Sequence, residues 1–517
     1  MANQASLKDQ LASLSMSSSN KSQPPAIEEV NTKLQAIGCP NHGNDQFIPY
    51  GELEKILTSD VIANVISSLI NPPIRELDPE LARLVEDILL RKRIFAMLLS
   101  LGLPSLIVHF IEAGILDKYL PLTYQDESDG LLQYTKQGRS ISISSLRCFN
   151  DDHAVAHNFQ ALQWGYIAPI FEFAKGKINH YVIPDLTPLP FTKEDALSTN
   201  EGHSEVIQVT IHSSHQDLTD GCTFAVKQLS TEESFNREVE ALKVVQRFRH
   251  LHLIELLGTY EYRRSHCLIF LCAEDNLKTF WMNNASPNLD PNISTWVLQQ
   301  CLGVAQGLQL IHNGQPSPPG QKILKGRHGD IKPANILRYA PRKKSQDPKL
   351  GVLKISDFGL TEFYGNNYHR QGYRPGATPA YRSPEGDLQH EISSLWDIWS
   401  LGCVYLEFLT WRLKGWDGVA EFTAQRTHDD SPPNPEDVGE DKFFNLIRSQ
   451  SVEACVKNSV AKQIEILHRH SACTAVIHDF LDLISDDLLQ IQSQKRSKCD
   501  QIVRKLEEMV RRRESEN

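Results

Sequence analysis

Four polar side chains on two short stretches have the types and the spacing that phosphoryl transfer requires. Residues 328–335 read His-Gly-Asp-Ile-Lys-Pro-Ala-Asn. In this loop Asp330 could accept the proton of an attacking hydroxyl, Lys332 could neutralise charge on the moving phosphate, and Asn335 could hold a metal ion. Further along, a strand-like run ends in Ser-Asp-Phe-Gly, which makes Asp357 a second candidate metal ligand. Either stretch alone is more often a plain turn, but together they favour a phosphotransferase site.

A β-rich segment with one helix precedes these loops and must position them. Residues 206–211 and 223–227 read as two strands joined by a polar loop, and residues 268–271 read as a further buried strand. Between them, residues 233–248 place apolar side chains on one face of a helix. Helical segments over 276–312 follow. The pattern predicts a small β-rich region followed by a larger helical one.

Taken together, these motifs resemble those of the eukaryotic protein kinase family, of the serine/threonine type. A third motif, residues 377–385, reads Ala-Thr-Pro-Ala-Tyr-Arg-Ser-Pro-Glu and is similar to the family's substrate-adjacent segment. The resemblance covers roughly residues 195–512. It implies an α+β, bilobal protein kinase fold, with a small β-rich N-lobe over about 195–273 and a large helical C-lobe over about 274–512. Gly329 stands where the family commonly has an arginine, so the chain resembles a non-RD variant of the family, with a His-Gly-Asp catalytic loop.

The resemblance assigns catalytic roles, with ATP and Mg²⁺ as cofactors and a protein as substrate. Asp330 would be the catalytic base, and Asn335 and Asp357 would bind magnesium. The pair of Lys332 and Thr378 is the one that the family associates with transfer to serine and threonine hydroxyls.

The resemblance also assigns the nucleotide-binding residues. Lys227 would hold the α- and β-phosphates and would be paired with Glu238. The remaining candidates would surround the adenine or form the hinge beside it: Val206, Ala225 and Leu337 on its two faces, Phe270 as a bulky gatekeeper, and Leu271, Cys272 and Ala273 as the hinge.

The family's glycine-rich phosphate loop is depleted in this chain. Gly202 lies near it, but Thr199, Glu201 and Ser204 stand at the family's glycine positions. Because glycines let backbone amides close over phosphates, this departure favours an alternative function. The chain could be a pseudokinase scaffold, or a nucleotide-binding interaction protein with little transfer activity. A small-molecule phosphotransferase is a third class, which the kinase-like residues 378–385 disfavour.

The region before the kinase-like segment predicts a tail and a helical domain. Residues 1–45 are rich in Ser, Gln and Asn, a composition that favours a disordered tail. The spacing of Leu7, Leu11 and Leu14 offers a docking helix as the alternative. Residues 46–190 predict a mostly helical domain and a connector. This region could contact the kinase lobe or a partner protein.

Composition narrows the functional classes. The net charge of -11 provides no basic field for binding nucleic acid. The most apolar run, residues 94–108, is shorter than the roughly 20 residues of a spanning helix. The ten cysteines form no Cys-x-x-Cys pair, and the sequence shows no secretory leader. We therefore expect a protein without a membrane span, in the cytoplasm or the nucleus.

Overall fold

Two units make up the chain in the computed structural model. The first comprises Met1–Gln228 and Leu257–Ile269, and the second comprises Leu229–Leu256 and Phe270–Asn517. The structure describes residues 6–14, 24–70, 78–124, 132–136, 139–142, 153–173, 177–200, 204–218, 221–287, 291–314, 325–341, 350–364, 376, 378–429, 440–448 and 452–515. The first unit thus joins the N-terminal region to most of the β-rich segment, whereas the sequence predicts separate domains over 46–190 and 195–512.

Helices form most of the N-terminal part of the first unit. They are α1 (Leu7–Leu14), α2 (Pro25–Ala36), α3 (Tyr50–Ile56), α4 (Ser59–Ser68), α5 (Pro79–Leu89), α6 (Lys92–Ser100), α7 (Ile107–Glu112) and α8 (His153–Tyr166). Helix α5 begins after Asp78, whose carboxylate accepts the backbone N–H of Glu80 and caps the helix. Helix α6 is apolar on nearly all sides, and its residues 94–99 are fully buried at the centre of the helical core.

Residues 6–14 and 24–45 are ordered, although the sequence predicts a disordered tail over 1–45. Leu7 and Leu11 of α1, and Ile27, Val30 and Leu34 of α2, are buried in the same core as α5 and α6. The backbone N–H of residue 7 donates to a carboxylate of α5. The composition misled the prediction because a narrow apolar stripe is enough to dock a polar helix onto an existing core.

A six-stranded sheet completes the first unit. The strands up to this point are β1 (Cys39–Pro40), β2 (Gln46–Phe47), β3 (Leu122–Tyr124), β4 (Leu132–Lys136), β5 (Arg139–Ser142), β6 (Asn179–Ile183), β7 (Phe191–Asn200), β8 (Ser204–Ile211), β9 (Phe224–Leu229), β10 (Leu256–Tyr262) and β11 (Ser265–Leu271). The order in the sheet is β6-β10-β11-β9-β8-β7. Strand β6, which lies within the predicted helical domain and connector over 46–190, pairs parallel to β10. Residues 179–183 therefore form an edge strand of the sheet.

Aromatic side chains fasten the connector to the sheet. The Phe171 ring lies 5.2 Å from that of Tyr181 and 6.1 Å from that of Tyr260. The Phe173 ring lies 5.3 Å from that of Phe224 on β9. Phe171 and Phe224 are fully buried. Since each buried aromatic ring contributes a large apolar area, these contacts attach residues 171–173 firmly to the sheet.

His215 joins three segments of the first unit at one imidazole ring. Its Nδ1 lies 2.8 Å from the carbonyl oxygen of Pro169, and its Nε2 accepts the backbone N–H of Tyr50 at 3.2 Å. The Phe47 ring meets it edge-on at 5.3 Å. This pattern requires a neutral ring with the proton on Nδ1. Burial lowers the pKa of His215 to about 4, which keeps the ring neutral.

The second unit is largely helical. Its helices are α9 (Glu232–Gln246), α10 (Leu277–Asn283), α11 (Pro291–Asn313), α12 (Pro384–Asp387), α13 (Leu395–His428), α14 (Asn458–His468), α15 (Ala475–Leu483) and α16 (Cys499–Ser515). Its strands are β12 (Asp275–Asn276), β13 (Lys325–Arg327), β14 (Ile336–Tyr339), β15 (Val352–Ile355), β16 (Glu362–Tyr364), β17 (Phe444–Arg448) and β18 (Val452–Val456). They form the small sheet β12-β14-β15 and the pairs β13-β16 and β17-β18.

Helix α13 runs through the core of the second unit. Trp396, Trp399 and Trp411 on this helix are almost completely buried. The helix bends at Gly415, where φ is 72° and where a Cβ atom would lie 2.3 Å from the carbonyl oxygen of Ala285. A glycine is required there because any side chain would collide with that backbone.

Helix α9, predicted as part of the N-lobe, belongs to the second unit. The loop after it is hydrogen-bonded to β15, with Ile254 N–H donating to the Ile355 carbonyl at 3.0 Å and Ile355 N–H to the His252 carbonyl at 2.9 Å. These backbone bonds hold α9 with the catalytic loops. Within the described ranges, none of the helices is both long and apolar enough to span a bilayer.

Candidate active site

Three donors converge on the carboxylate of Asp330, two from side chains and one from the backbone. Lys332 donates from Nζ to Oδ2 at 2.6 Å, and Asn335 donates from Nδ2 to the same oxygen at 3.0 Å. The backbone N–H of Thr378 donates to Oδ1 at 3.0 Å, and Lys332 Nζ also donates to Thr378 Oγ1 at 2.7 Å. Asp330 is 8% exposed. The structure thus brings together the predicted Asp330, Lys332, Asn335 and Thr378, and hydrogen bonds fix both carboxylate oxygens.

The buried carboxylate of Asp397 on α13 holds the backbone of this loop. It accepts the backbone N–H groups of His328 at 2.7 Å and Gly329 at 2.8 Å, and it lies 2.9 Å from Nε2 of His312. Burial raises the pKa of Asp397, but the hydrogen bond and charge of His312 and the donor at Gly329 outweigh that effect and leave the pKa below its usual value. An ionised carboxylate is therefore part of the loop's framework.

The ring of His328 supports the loop from within. Its Nδ1 accepts the backbone N–H of Asp330 at 3.2 Å, so its Nε2 carries the proton and donates to the Ser356 carbonyl at 3.0 Å. The ring of Phe358 packs against it at 5.1 Å. His328 is completely buried. It links the two loops and is placed for support, not for proton transfer to a substrate.

Backbone hydrogen bonds bring the Asp357 loop beside Asn335. Ser356 donates to the Asn335 carbonyl both from its N–H and from Oγ, each at 2.9 Å. Asp357 itself has a φ of 62°, a left-handed conformation that turns the chain sharply after β15. Because Ser356 immediately precedes Asp357, these hydrogen bonds hold the loops of the two predicted metal ligands, Asn335 and Asp357, together.

Glu238 lies next to the Asp357 loop. An ideal Cβ atom on Gly359 would be 3.4 Å from Asp357 Oδ1 and 3.5 Å from Glu238 Oε2. Both carboxylates thus lie against this glycine, and Glu238 is 2% exposed. Its burial on α9 fixes its position relative to the loop.

The donor set suits a magnesium ion that is shared with phosphates. The Asn335 Nδ2 is engaged with Asp330, which leaves its Oδ1 as the atom for a cation, beside the carboxylate of Asp357. Oxygen ligands of this kind suit Mg²⁺, which usually retains water or phosphate ligands. Among the described residues, no group of three or more His, Cys, Asp or Glu side chains could hold a metal. Asn335 and Asp357 would accordingly supply only part of the coordination.

The predicted nucleotide-binding residues fall in both units. In the first unit, Val206 lies in β8, and Ala225 and Lys227 lie on one face of β9, separated by the buried Val226. Gly202 lies outside the described residues.

In the second unit, the predicted hinge follows β11 and lies beside β14. The hydroxyl of Tyr339 donates to the Leu271 carbonyl at 3.1 Å, and the backbone N–H of Glu274 donates to the Arg338 carbonyl at 2.9 Å. Leu337 lies in β14, opposite Asn276 of β12. These bonds bring Leu271, Cys272 and Ala273 close to the Leu337 strand, and Phe270 just before them is buried.

The segment after Thr378 is anchored by a buried ion pair. Arg496 donates from Nη1 and Nη2 to the two oxygens of Glu385, each at 2.8 Å, and the exposures of the two side chains are 0% and 3%. The resemblance to the protein kinase family implies an ion pair between these two positions. Ser383 Oγ also donates to Glu385. A bidentate, fully buried contact of this kind fixes the substrate-side segment to the C-terminal part of the unit.

Two supporting residues escape the sequence analysis. His312, in the last turn of α11, bonds to Asp397, and Arg327 is 4% exposed immediately before the catalytic loop. The only signal for either residue is a polar side chain at the end of an otherwise apolar element. That signal does not reveal its partner.

Comparison with known proteins points in one direction. A family model described as protein kinase domain matches residues 210–506. A probable LRR receptor-like serine/threonine-protein kinase of Arabidopsis thaliana is 31% identical over 201 residues, which are 38% of this chain and 18% of that protein. A serine/threonine-protein kinase of Candida albicans is 38% identical over 125 residues, 22% of this chain and 14% of that protein. The MAP3K epsilon protein kinase 1 of Brassica napus is 27% identical over 237 residues, which are 44% of this chain and 16% of that protein. The chain thus spans less than a fifth of each of these relatives.

Proposed function

The chain belongs to the protein kinase domain family, and from this premise we propose that it is an ATP-dependent serine/threonine protein kinase. It would transfer the γ-phosphoryl group of ATP to hydroxyls of a protein substrate. The observation that carries the proposal is the set of contacts around Asp330. Lys332, Asn335 and Thr378 each donate a hydrogen bond to its carboxylate, and Lys332 also donates to the Thr378 hydroxyl.

In the proposed mechanism Asp330 orients the substrate hydroxyl and accepts its proton. Three donors fix the direction of this carboxylate. The ammonium group of Lys332, whose side chain is 21% exposed, would stabilise negative charge on the transferring phosphate. Since the transition state of phosphoryl transfer is loose, positioning and charge stabilisation supply most of the rate. Mg²⁺ held by Asn335 and Asp357 would neutralise negative charge on the phosphates, and Lys227 would hold the phosphates of the nucleotide.

The proposed choice of serine and threonine rests on Thr378. Its hydroxyl accepts from Lys332 and its N–H donates to Asp330, so the start of the substrate-side segment is attached directly to the catalytic base. The same residues resemble the serine/threonine type of the family. This contact supports a protein substrate lying along residues 378–385.

The test is phosphate transfer from labelled ATP to a generic acidic or basic protein, using the full chain. Asp330→Asn should reduce transfer by about 100-fold or more, because it removes the proton acceptor. The matched control is Asp60→Asn on the surface of α4, which should transfer as the natural protein does. Equal transfer by the natural protein and Asp330→Asn would refute the proposal.

One observation favours a second function, a scaffold that binds nucleotide without transfer. Strands β7 and β8 are paired up to Asn200 and Ser204, where the family has its open glycine-rich loop. Glycine positions are occupied by residues with side chains, so fewer backbone amides are available to phosphates. Thermal unfolding with and without ATP and Mg²⁺ separates the cases. Stabilisation by ATP without transfer would support the scaffold.

A further inference from the structure

The segment that follows the Asp357 loop is attached to the catalytic loop as a short β-ribbon. Strand β16 pairs antiparallel with β13, and Arg327 stands directly opposite Glu362. Thr361 Oγ1 donates to the His328 carbonyl at 3.2 Å. This ribbon is the described connection between the metal-binding loop and the residues that precede the catalytic base.

The side chains of the opposed pair form an ion pair that is largely shielded from water. Arg327 Nη2 donates to Glu362 Oε2 at 3.1 Å, with side-chain exposures of 4% and 28%. The guanidinium also lies 5.9 Å from the ring centre of the buried Trp396. A buried guanidinium needs a nearby carboxylate, because leaving such a charge unpaired is strongly unfavourable. Glu362 therefore has a defined place that Arg327 imposes.

Gly329, which stands where the family commonly has an arginine, has no side chain that could pair with Glu362. Gly329 has a φ of 91°, and a Cβ atom there would lie 3.0 Å from the carbonyl oxygen of Leu360. The backbones of the catalytic loop and of the following segment approach too closely for a side chain. The cation that faces the segment comes from Arg327, two residues earlier and on the other strand of the ribbon.

We propose that the Arg327–Glu362 pair is the positioning contact that holds residues 360–364 in their working arrangement. The carboxylate is a permanent part of the chain, so the anchor is present as soon as the protein folds. Asp357 lies at one end of the anchored stretch and His328, which supports Asp330, lies beside it. The catalytic part of this inference rests on the proposed kinase function.

The first test uses Glu362→Gln, which keeps the shape and removes the charge, together with hydrogen exchange of peptides covering 360–364. We expect exchange of these amides to rise by about tenfold or more, because the ribbon loses its ion pair. Glu362→Asp, which keeps the charge, should stay within about threefold of the natural protein in the same measurement. The control is Glu465→Gln, which removes the exposed pair with Arg469 and should leave exchange over 360–364 unchanged. Exchange in Glu362→Gln equal to that of the natural protein would overturn the proposal.

The second test separates positioning from simple stability. If the pair positions the catalytic loops, kcat of Glu362→Gln should fall by about tenfold while KM for ATP changes little, since Glu362 is not among the residues assigned to the nucleotide. A kcat of Glu362→Gln equal to that of the natural protein would overturn the proposal. Should the natural protein transfer no phosphate at all, the proposed function fails, while hydrogen exchange still decides whether the pair anchors the segment.

Discussion

Lowering the pH from 7.5 to 5 should weaken the first unit through the single imidazole of His215. The ring is buried, donates from Nδ1 to the Pro169 carbonyl and accepts the Tyr50 N–H at Nε2. Protonation would add a hydrogen at Nε2 that faces the Tyr50 N–H. It would also place a charge near His212 and Arg93. Burial is the main cause that lowers the pKa of His215, and the charges of His212 and Arg93 lower it further. The hydrogen bond to Pro169 acts in the opposite direction. The fold therefore resists protonation of this group.

The magnitude follows from the pKa, which burial lowers from 6.5 to about 4. Because the folded pKa lies below the unfolded one, the neutral ring contributes its full stability above pH 6.5. That contribution is lost as the pH falls from 6.5 towards 4. The full range corresponds to about 3 kcal/mol, and about 2 kcal/mol of it is lost by pH 5. This loss is a large fraction of the stability of an ordinary domain.

The assay is native-state hydrogen exchange of peptides from the first unit at pH 7.5 and pH 5, corrected for the intrinsic pH dependence of exchange. His215→Gln is the comparison, because its amide can donate to Pro169 and accept from Tyr50 without titrating. The opening free energy should fall by about 2 kcal/mol more in the natural protein than in the variant. His252 in the second unit, whose pKa burial also lowers to about 4, titrates in both proteins and cancels. An equal pH dependence in the two proteins would refute the reasoning.

Two further changes test the framework of the second unit. Arg496→Met leaves the Glu385 carboxylate buried without its cation and should lower the free energy of unfolding by about 3 to 5 kcal/mol in urea, and pairing it with Glu385→Gln should recover most of the loss. Gly329→Ala places a Cβ atom 3.0 Å from the Leu360 carbonyl at a φ of 91°. It should cost about 1 to 3 kcal/mol in urea unfolding and reduce phosphate transfer, and an unchanged stability would contradict the close approach described for this loop.

The chemistry of the catalytic loop was predictable because its members are close in the chain. Asp330, Lys332 and Asn335 lie on one short turn, so their side chains meet whatever surrounds them. The contact between Lys332 and Thr378 was expected only from the family resemblance, because the two residues lie far apart in the sequence. The Arg496–Glu385 pair was predicted in the same way. Residue type and local spacing thus carry the information for the catalytic loop, whereas the two long-range contacts came from the family resemblance.

The partners of the supporting residues depended on packing between distant segments. Arg327 faces Glu362 because β13 and β16 pair in one register, and a shift of one residue would turn the two side chains to opposite faces. No local pattern states which of the possible registers is used. In the folded chain this register lets Arg327 pair with Glu362 while its guanidinium lies near the buried Trp396 of α13.

What the residues alone establish is the kinase family, the loop that carries the chemistry and the helical character of the N-terminal region. Only the folded chain shows that the polar segments 7–14 and 25–36 form helices whose apolar side chains pack into the helical core. It also shows that residues 179–183 supply an edge strand to the sheet. The reason is that a parallel pairing such as that of β6 with β10 and a shared aromatic core are long-range contacts. Their free energy comes from surfaces that meet only after the separate segments have formed.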